Sequence, residues 1–274
     1  MEDVTGARTA VVTGASSGIG TAAALALARL GWRVALVGRH PGRLADALAR
    51  VRQAATGPDP LAVPADFADF ASVREAAAQL HKLDRIDVLA NNAGAVASRR
   101  ATTVDGHELT IQTNHLAPFL LTQLLRDKLE PGARIITTAS VAHGMGRLDP
   151  DDLSRANGYY NVWMAYGASK AANIAFAAEA ARRWPQLLSF SYHPGVVRSN
   201  FGTPLARLYY KVAVWLKSPE QGADTLVYLA TAPADHLVNG GYYDERKPVR
   251  PKPYLEEPEI AARLWEKSLE LTGL

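Results

Sequence analysis

Cysteine does not occur among the 274 residues of this chain. Its absence excludes disulfides, thiolate-held zinc and thiol nucleophiles. Long apolar runs are missing too. Nothing approaches the ~18 consecutive apolar residues of a membrane-spanning helix, and the acidic, polar segment Met1–Arg8 lacks the charged-then-apolar layout of a signal peptide. No membrane span is expected, and the cytoplasm is the expected compartment. Charge of one sign is scarce as well: the net charge is +3, from 30 basic and 27 acidic residues. Arg29, Arg33, Arg39, Arg43, Arg50 and Arg52 are scattered, with no basic stripe interleaved with aromatics, so no nucleic-acid partner is expected. No metal site is expected either. There is no repeat, low-complexity tract or linker long enough to divide the chain.

What remains is an ordinary globular composition, 48% hydrophobic and 21% charged, in which short β-branched runs alternate with Ala- and Leu-rich amphipathic stretches. Strands are expected at Thr9–Thr13, Arg33–Val37, Leu61–Pro64, Ile86–Ala90, Ala133–Thr138, Leu188–Tyr192 and Gly241–Tyr243. Helices are expected at Ile19–Leu30, Pro41–Ala54, about Phe70–Leu80, about Gly106–Leu129, Tyr160–Trp184, Ser218–Thr231 and Glu259–Leu271. This alternation implies right-handed βαβ crossovers. The expected fold is α/β: one Rossmann-type domain over residues 1–274, with a doubly wound parallel sheet of about seven strands and helices on both faces. Lys247–Pro258, rich in proline, is expected to be a surface connection.

Between the first strand and first helix stands Thr13-Gly14-Ala15-Ser16-Ser17-Gly18-Ile19-Gly20. Glycines there permit a tight turn, approach of backbone to phosphate, and close packing of helix on strand; the free N–H groups of the helix start can hold a pyrophosphate. A P-loop is excluded because Gly20 is followed by Thr21 rather than Lys. Gly14-Ala15-Ser16-Ser17-Gly18 fits the G-x-S-x-G elbow of α/β-hydrolases, but only one strand precedes Ser16, and that nucleophile needs several.

The Gly-x-x-x-Gly-x-Gly spacing resembles the cofactor loop of short-chain dehydrogenases/reductases. The resemblance continues in order through Asn91-Asn92-Ala93-Gly94, Asn114, Ser140, Tyr166-x-x-x-Lys170 and Pro194-Gly195, nearly the whole chain. It implies a nicotinamide cofactor held by Gly14, Ser16, Ser17, Gly18, Ile19 and Gly20. It further implies Asp66 on the adenine amino group with Phe67 beside it, and Asn92, Ala93 and Gly94 along the adenosine ribose. Asn91 is equally readable as a structural turn residue. Pro194, Gly195, Val197 and Ser199 are implied around the nicotinamide amide, with Ser199 standing where the family pattern usually has threonine.

The second strand ends Leu36-Val37-Gly38-Arg39. A carboxylate at that strand end suits the ribose 2′-hydroxyl of NAD, whereas an arginine suits a 2′-phosphate. With Gly38 in the acidic position and Arg39 next, NADP(H) is the expected cofactor. A solvated helix-cap arginine is the plainer alternative.

Tyr166 and Lys170 are four apart on an expected helix and so share one face. A phenol of pKa about 10 is a poor base at neutral pH, and a neighbouring ammonium favours its phenolate. Alone, such a pair more often means a half-buried aromatic beside a solvated lysine; within the ordered set it is the expected catalytic centre. Ser140 ends a strand at its carboxyl end, where functional residues of open α/β sheets sit, although a cap or turn serine would look the same. By resemblance, Ser140 holds the substrate oxygen, Tyr166 transfers the proton, Lys170 also binds the nicotinamide ribose, and Asn114 holds a water that links the lysine to solvent. Mid-helix asparagine otherwise competes with backbone bonds.

The implied activity is NADP(H)-dependent reduction of a carbonyl, or oxidation of the alcohol, in a hydrophobic small molecule. A lyase or isomerase on the same fold and a non-catalytic nucleotide-sensing protein are the alternatives. Residues 200–217, which include Phe201, Tyr209, Tyr210 and Trp215, correspond to the family's substrate lid, and their apolar character suits a hydrophobic substrate. The segment between Ser140 and Tyr166 is about twice as long as in short family members. With Arg39, Ala142-His143 and Asn114-His115-Leu116, it most resembles the branch containing retinol dehydrogenases and related carbonyl reductases. His143 is either a substrate contact or a surface-loop histidine. The insertion implies a monomer or weak dimer.

Overall fold

Short β-branched runs bounded by glycine, proline or charged residues form the strands, and the structure, a computed structural model, describes residues 6–197 and 216–274. The strands are β1 (Thr9–Thr13), β2 (Arg33–Gly38), β3 (Leu61–Pro64), β4 (Val88–Asn91), β5 (Arg134–Thr138), β6 (Leu188–His193), β7 (Tyr242–Asp244) and β8 (Lys247–Val249). They make one sheet in the order β3-β2-β1-β4-β5-β6-β7-β8. All neighbours are parallel except β7 and β8. β8 is an addition to the expected strands: Lys247–Pro258 begins with an antiparallel edge strand rather than a mere connection. Glu245 and Arg246 make its turn in the left-handed region, and an exposed Lys247-Pro248 edge discourages further strand pairing.

The helices among the described residues are α1 (Gly18–Arg29), α2 (Pro41–Ala54), α3 (Phe70–Leu80), α4 (residues 109–124), α5 (Val162–Arg183), α6 (Pro219–Thr231) and α7 (Pro258–Thr272). Several begin where their sequences say they should. Pro41, Pro219 and Pro258 occupy first-turn positions, where a missing N–H costs nothing, and Ser218 and Gln221 form a reciprocal cap. Helices α1, α2 and α6 bury one face of the sheet around Leu27, Leu36, Phe190 and Leu226. Helices α3, α4, α5 and α7 bury the other around Leu89, Phe119, Ile135, Phe176 and Trp265. Two apolar layers on a sheet buried on both sides are what near-continuous strands such as Thr9–Thr13 require.

The long helix expected from about Gly106 to Leu129 is shorter and interrupted. It starts at Leu109, passes through a π-helical turn at Gln112–Leu116 and ends at Leu124, before a separate 3-10 turn at Arg126–Lys128. Pro118 accounts for the interruption. It has no N–H for the Asn114 carbonyl four residues back, and its ring crowds that oxygen. The Ala117 N–H instead reaches back five residues to Gln112.

No helix among the described residues is long and apolar enough to cross a membrane.

Candidate active site

β1 and β4 are neighbours, while the chain leaves β1 toward β2 on one side and β4 toward β5 on the other. The strand order therefore reverses between them, opening a crevice at their carboxyl ends. The glycine loop lies in that crevice. Gly14 and Gly18 have φ of +67° and +56°, in the left-handed region open to glycine. A β-carbon on Gly14 would fall 2.9 Å from the Ala93 Cα, and one on Gly20 would fall 2.4 Å from the Gly14 carbonyl oxygen. Ser17 begins α1 without a side-chain cap, and the first turn carries no acid. The helix start thus presents its N–H groups and its positive dipole end to whatever lies in the loop.

The Asn91–Gly94 loop is fastened to β1. The Asn92 amide donates to the Thr13 carbonyl at 2.9 Å, and the backbone N–H groups of Asn92 and Ala93 both donate to Thr13 Oγ1 at 2.9 Å. Asn91 turns inward and donates to Thr122 Oγ1. The structural alternative for Asn91 therefore has a definite partner.

At the end of β2, Arg39 Nη1 stands 3.7 Å from Asp66 Oδ1 with both side chains substantially exposed. Asp66 also accepts from the Ala68 N–H at 3.0 Å. Phe67, expected beside the adenine, has its ring buried in the core. Gly38 has a packing reason of its own: a β-carbon there would lie 3.1 Å from Ser16 Cβ and 3.3 Å from Leu44 Cδ1.

Ser140, Tyr166, Lys170 and Asn114 come together beyond the end of β5. Ser140 Oγ accepts the Ala142 N–H at 3.1 Å and caps a 3-10 turn, Val141–Gly144. The cap serine and the functional serine are thus compatible, since accepting that bond leaves the hydroxyl proton available for donation. Lys170 is buried, and its Nζ donates to the Thr138 carbonyl at 2.9 Å, which also accepts from the Asn173 amide at 3.0 Å. Burial lowers the Lys170 pKa to about 7. Its Nζ lies 5.5 Å from the centre of the Tyr166 ring, and Trp163 packs edge-on against that ring. Asn114 is held at both ends: Oδ1 accepts from the Ala95 N–H at 2.7 Å, and Nδ2 donates to the Ala95 carbonyl and to Ser169 Oγ, both at 3.0 Å. Asn114 Oδ1 and Lys170 Nζ flank Gly94 closely, at 3.2 and 3.5 Å from where its β-carbon would be.

After β6, Gly195 has φ +83°, and a β-carbon would strike the Lys217 side chain at 2.6 Å. Val197 forms a β-bridge with Lys217 and packs with Ile19 over Gly222, where a β-carbon would lie 2.6 and 3.1 Å from them. The segment after β6 and the start of α1 thus meet. Ser199 and nearly all of the expected lid, residues 200–215, lie outside the described residues.

The insertion packs down on α5 through two glycines. A β-carbon on Gly146 would meet the Met164 carbonyl oxygen at 1.9 Å, and one on Gly167 the Ala142 carbonyl oxygen at 2.5 Å. Tyr160 ties it to α4 by donating at 2.9 Å to Glu108, whose carboxylate caps Thr110 and Ile111. Sequence reasoning missed Thr13, Thr138, Asn173 and Pro118. Asn173 was findable, three residues after Lys170 and so on its helix face, and Pro118 was findable as a mid-helix proline. The Thr138 carbonyl is a backbone group and leaves no mark in sequence.

The glycine-loop crevice at the sheet's reversal point and the Tyr166–Lys170 pair held at the end of the fifth strand sit on one doubly wound α/β sheet. The chain belongs to the short chain dehydrogenase family, a family of oxidoreductases, whose model matches residues 8–206. It is 50% identical over 268 residues to a Streptomyces sp. (strain C5) protein named as a daunorubicin C-13 ketoreductase, covering 97% of this chain and 93% of that one. It is 38% identical over 284 residues to human retinol dehydrogenase 13, covering 97% and 85%. Among solved structures, a short chain dehydrogenase from Burkholderia cenocepacia J2315 in complex with NADP superposes with a TM-score of 0.68, at 26% identity, covering 86% of this chain and 94% of that one.

Proposed function

We propose that this chain is an NADP(H)-dependent ketoreductase or alcohol dehydrogenase acting on a hydrophobic small molecule, with Ser140, Tyr166 and Lys170 as catalytic residues and Asn114 as a positioning residue. The observation that carries the reading is the placement of Lys170 Nζ, which lies 5.5 Å from the Tyr166 ring centre, flanks Gly94 and is held by the Thr138 carbonyl two residues before Ser140. The donor set suits a dinucleotide phosphate. The Gly14–Gly20 cradle is one that β-carbons would fill, the uncapped start of α1 would take a pyrophosphate, and Arg39 would take a 2′-phosphate. Asp66 and the main chain at Phe67 would border the adenine, Asn92, Ala93 and Gly94 the ribose, and Pro194, Gly195, Val197 and Ser199 the carboxamide. Bound NADPH would supply the hydride for the carbonyl carbon.

The chain's own residues supply the rest. Ser140 donates its free hydroxyl proton to the substrate oxygen, stabilising the charge that grows there. Tyr166 passes its phenolic proton to the same oxygen. Lys170, held against the Thr138 carbonyl, gains the most from becoming charged when the phenolate forms, because a buried amine without an anion is poorly stabilised as ammonium. The relative named for a ketoreductase supports reduction, and the NADP complex of a structural neighbour supports the cofactor.

The test is oxidation of NADPH and of NADH over a panel of aromatic and polycyclic ketones, quinones and aldehydes, with Tyr166→Phe alongside. Turnover preferring NADPH, nearly abolished in Tyr166→Phe with NADPH binding retained, is expected. Full activity in Tyr166→Phe, or product formed with no net cofactor turnover, overturns it.

A further inference from the structure

β7 carries a buried polar side chain that the mechanism above does not use. Tyr242 packs in the core layer shared with α5, and its hydroxyl is buried with no hydrogen-bond partner. An orphaned buried hydroxyl is costly and uncommon, and each one calls for a physical reason, such as a group that completes it. The Tyr242 ring meets the His143 ring edge-on, with centroids 5.3 Å apart. His143 in turn hangs from the catalytic serine, its Nδ1 2.8 Å from the Ser140 carbonyl oxygen. A carbonyl only accepts, so Nδ1 carries the proton. Burial holds the ring below the usual histidine range, which leaves Nε2 a lone pair to offer.

A second unpartnered atom lies nearby. His193 Nδ1 is buried without a partner, and the register places His193 on the same face as Tyr242, since Ser191 pairs with Tyr242 and His193 with Asp244. Burial pushes the Tyr242 phenol up, and the charges of Asp244 and Tyr166 act in the same direction. A donor at Tyr242 and an acceptor at His143 therefore stand side by side next to Ser140.

We propose that Tyr242 and His143 form a second polar subsite that receives a hydroxyl group carried within a few bonds of the reacting carbonyl, so that the preferred substrates are hydroxyketones. The subsite determines specificity and rests on the oxidoreductase reading above. A hydroxyl oxygen accepts from Tyr242 Oη while its proton goes to His143 Nε2, which satisfies both. A carbonyl on a plain hydrocarbon leaves the phenol unpaired, and sites that hydrogen-bond a substrate hydroxyl discriminate strongly against analogues that lack it.

The experiment measures kcat/KM with NADPH for 2-hydroxyacetophenone and for acetophenone, in the wild type, Tyr242→Phe and His143→Asn. Asparagine retains an N–H to bond the Ser140 carbonyl but removes the acceptor at Nε2. Thermal unfolding and the NADPH dissociation constant accompany each variant. The wild type is expected to favour the hydroxyketone, and the ratio of the two kcat/KM values should fall about tenfold in Tyr242→Phe and severalfold in His143→Asn. Tyr242→Phe should unfold no earlier than the wild type, because it removes an unpaired buried group. A ratio unchanged in both variants, while acetophenone is still reduced, overturns the subsite and leaves the oxidoreductase reading standing. If the wild type reduces neither ketone with NADPH or NADH, both fall together.

Discussion

The Lys170 Nζ donates to the Thr138 carbonyl oxygen at 2.9 Å, deep under α5, and this bond fixes the lysine beside the Tyr166 ring. It also holds the amine where water cannot solvate its charged form, and burial lowers the Lys170 pKa from 10.5 to about 7.

Stability should therefore depend on Lys170 with a definite sign. Between pH 7 and 10.5 the unfolded chain keeps the lysine proton and the folded chain does not, so this group's contribution to stability rises with pH across that window. Lys170→Met should raise the unfolding temperature at pH 7, by several degrees for a stabilisation of a few kcal/mol, with the gain shrinking toward pH 10. The Thr138 carbonyl keeps the Asn173 amide as its partner. The same variant should lose most of its kcat. Thermal melts from pH 6 to 10 check the first claim; a destabilised variant at pH 7 contradicts it.

Cofactor choice should follow Arg39. Its guanidinium is exposed and tied only to Asp66, so Arg39→Ala should lower the NADPH-over-NADH ratio of kcat/KM about tenfold, the size of one partly exposed charge-assisted contact. Gly38→Asp should tilt the ratio further toward NADH while weakening both cofactors, because its β-carbon presses on Ser16 and Leu44. Steady-state kinetics with both cofactors separates the two effects.

Acid should destabilise the fold through His115. The ring is buried, bonds Ser268 Oγ at 2.9 Å, and has its pKa lowered to about 4 by burial, only partly offset by the Asn173 amide. Below pH 6.5 the unfolded chain binds a proton that the folded chain refuses, so stability falls from pH 6.5 toward pH 4, by on the order of 3 kcal/mol for this group. His143 and His193, both lowered, act in the same direction. His115→Gln should flatten the slope, as read from denaturant unfolding at pH 7, 5.5 and 4.5.

Pro118 should trade stability for rate. Pro118→Ala restores an N–H that can bond the Asn114 carbonyl and close the π-helical turn. The unfolding temperature should rise by a few degrees, while kcat drops severalfold with NADPH binding unchanged. An unchanged kcat would show that the turn has no part in catalysis.

The chain should be a monomer near 29.5 kDa by light scattering. The apolar face of α4 and α5 is covered by α7, whose Trp265 stacks on Phe176 and meets Phe119 and Trp184 edge-on. The sheet edge at β7 is covered by β8. A stable dimer at micromolar concentration would refute this.

Much of the architecture was legible because burial on both faces leaves a plain alternation: β1, α2, β3 and α3 fall where their sequences place them. The edge strand β8 escaped because three residues with a central proline, Lys247-Pro248-Val249, carry no strand signal. The break in α4 escaped because apolar periodicity on either side of Pro118 continues through it. At the site, Tyr166, Lys170, Ser140 and Asn114 were readable from spacing and order. What holds them was not: the Thr138 carbonyl under Lys170 and the Ala95 backbone on Asn114 come from segments distant in sequence.

By itself the sequence determined the class of fold, the position of the glycine loop and the Tyr166–Lys170 spacing, because turn glycines, strand periods and a Tyr-Lys pair one helical turn apart are local properties. Only the tertiary structure decided that Lys170 is desolvated, that Ser140 caps a turn while keeping its proton free, and that Tyr242 stands unpaired beside His143. Those are matters of which groups exclude water from which others, and that is settled only when strands far apart in the chain pack against the same helix.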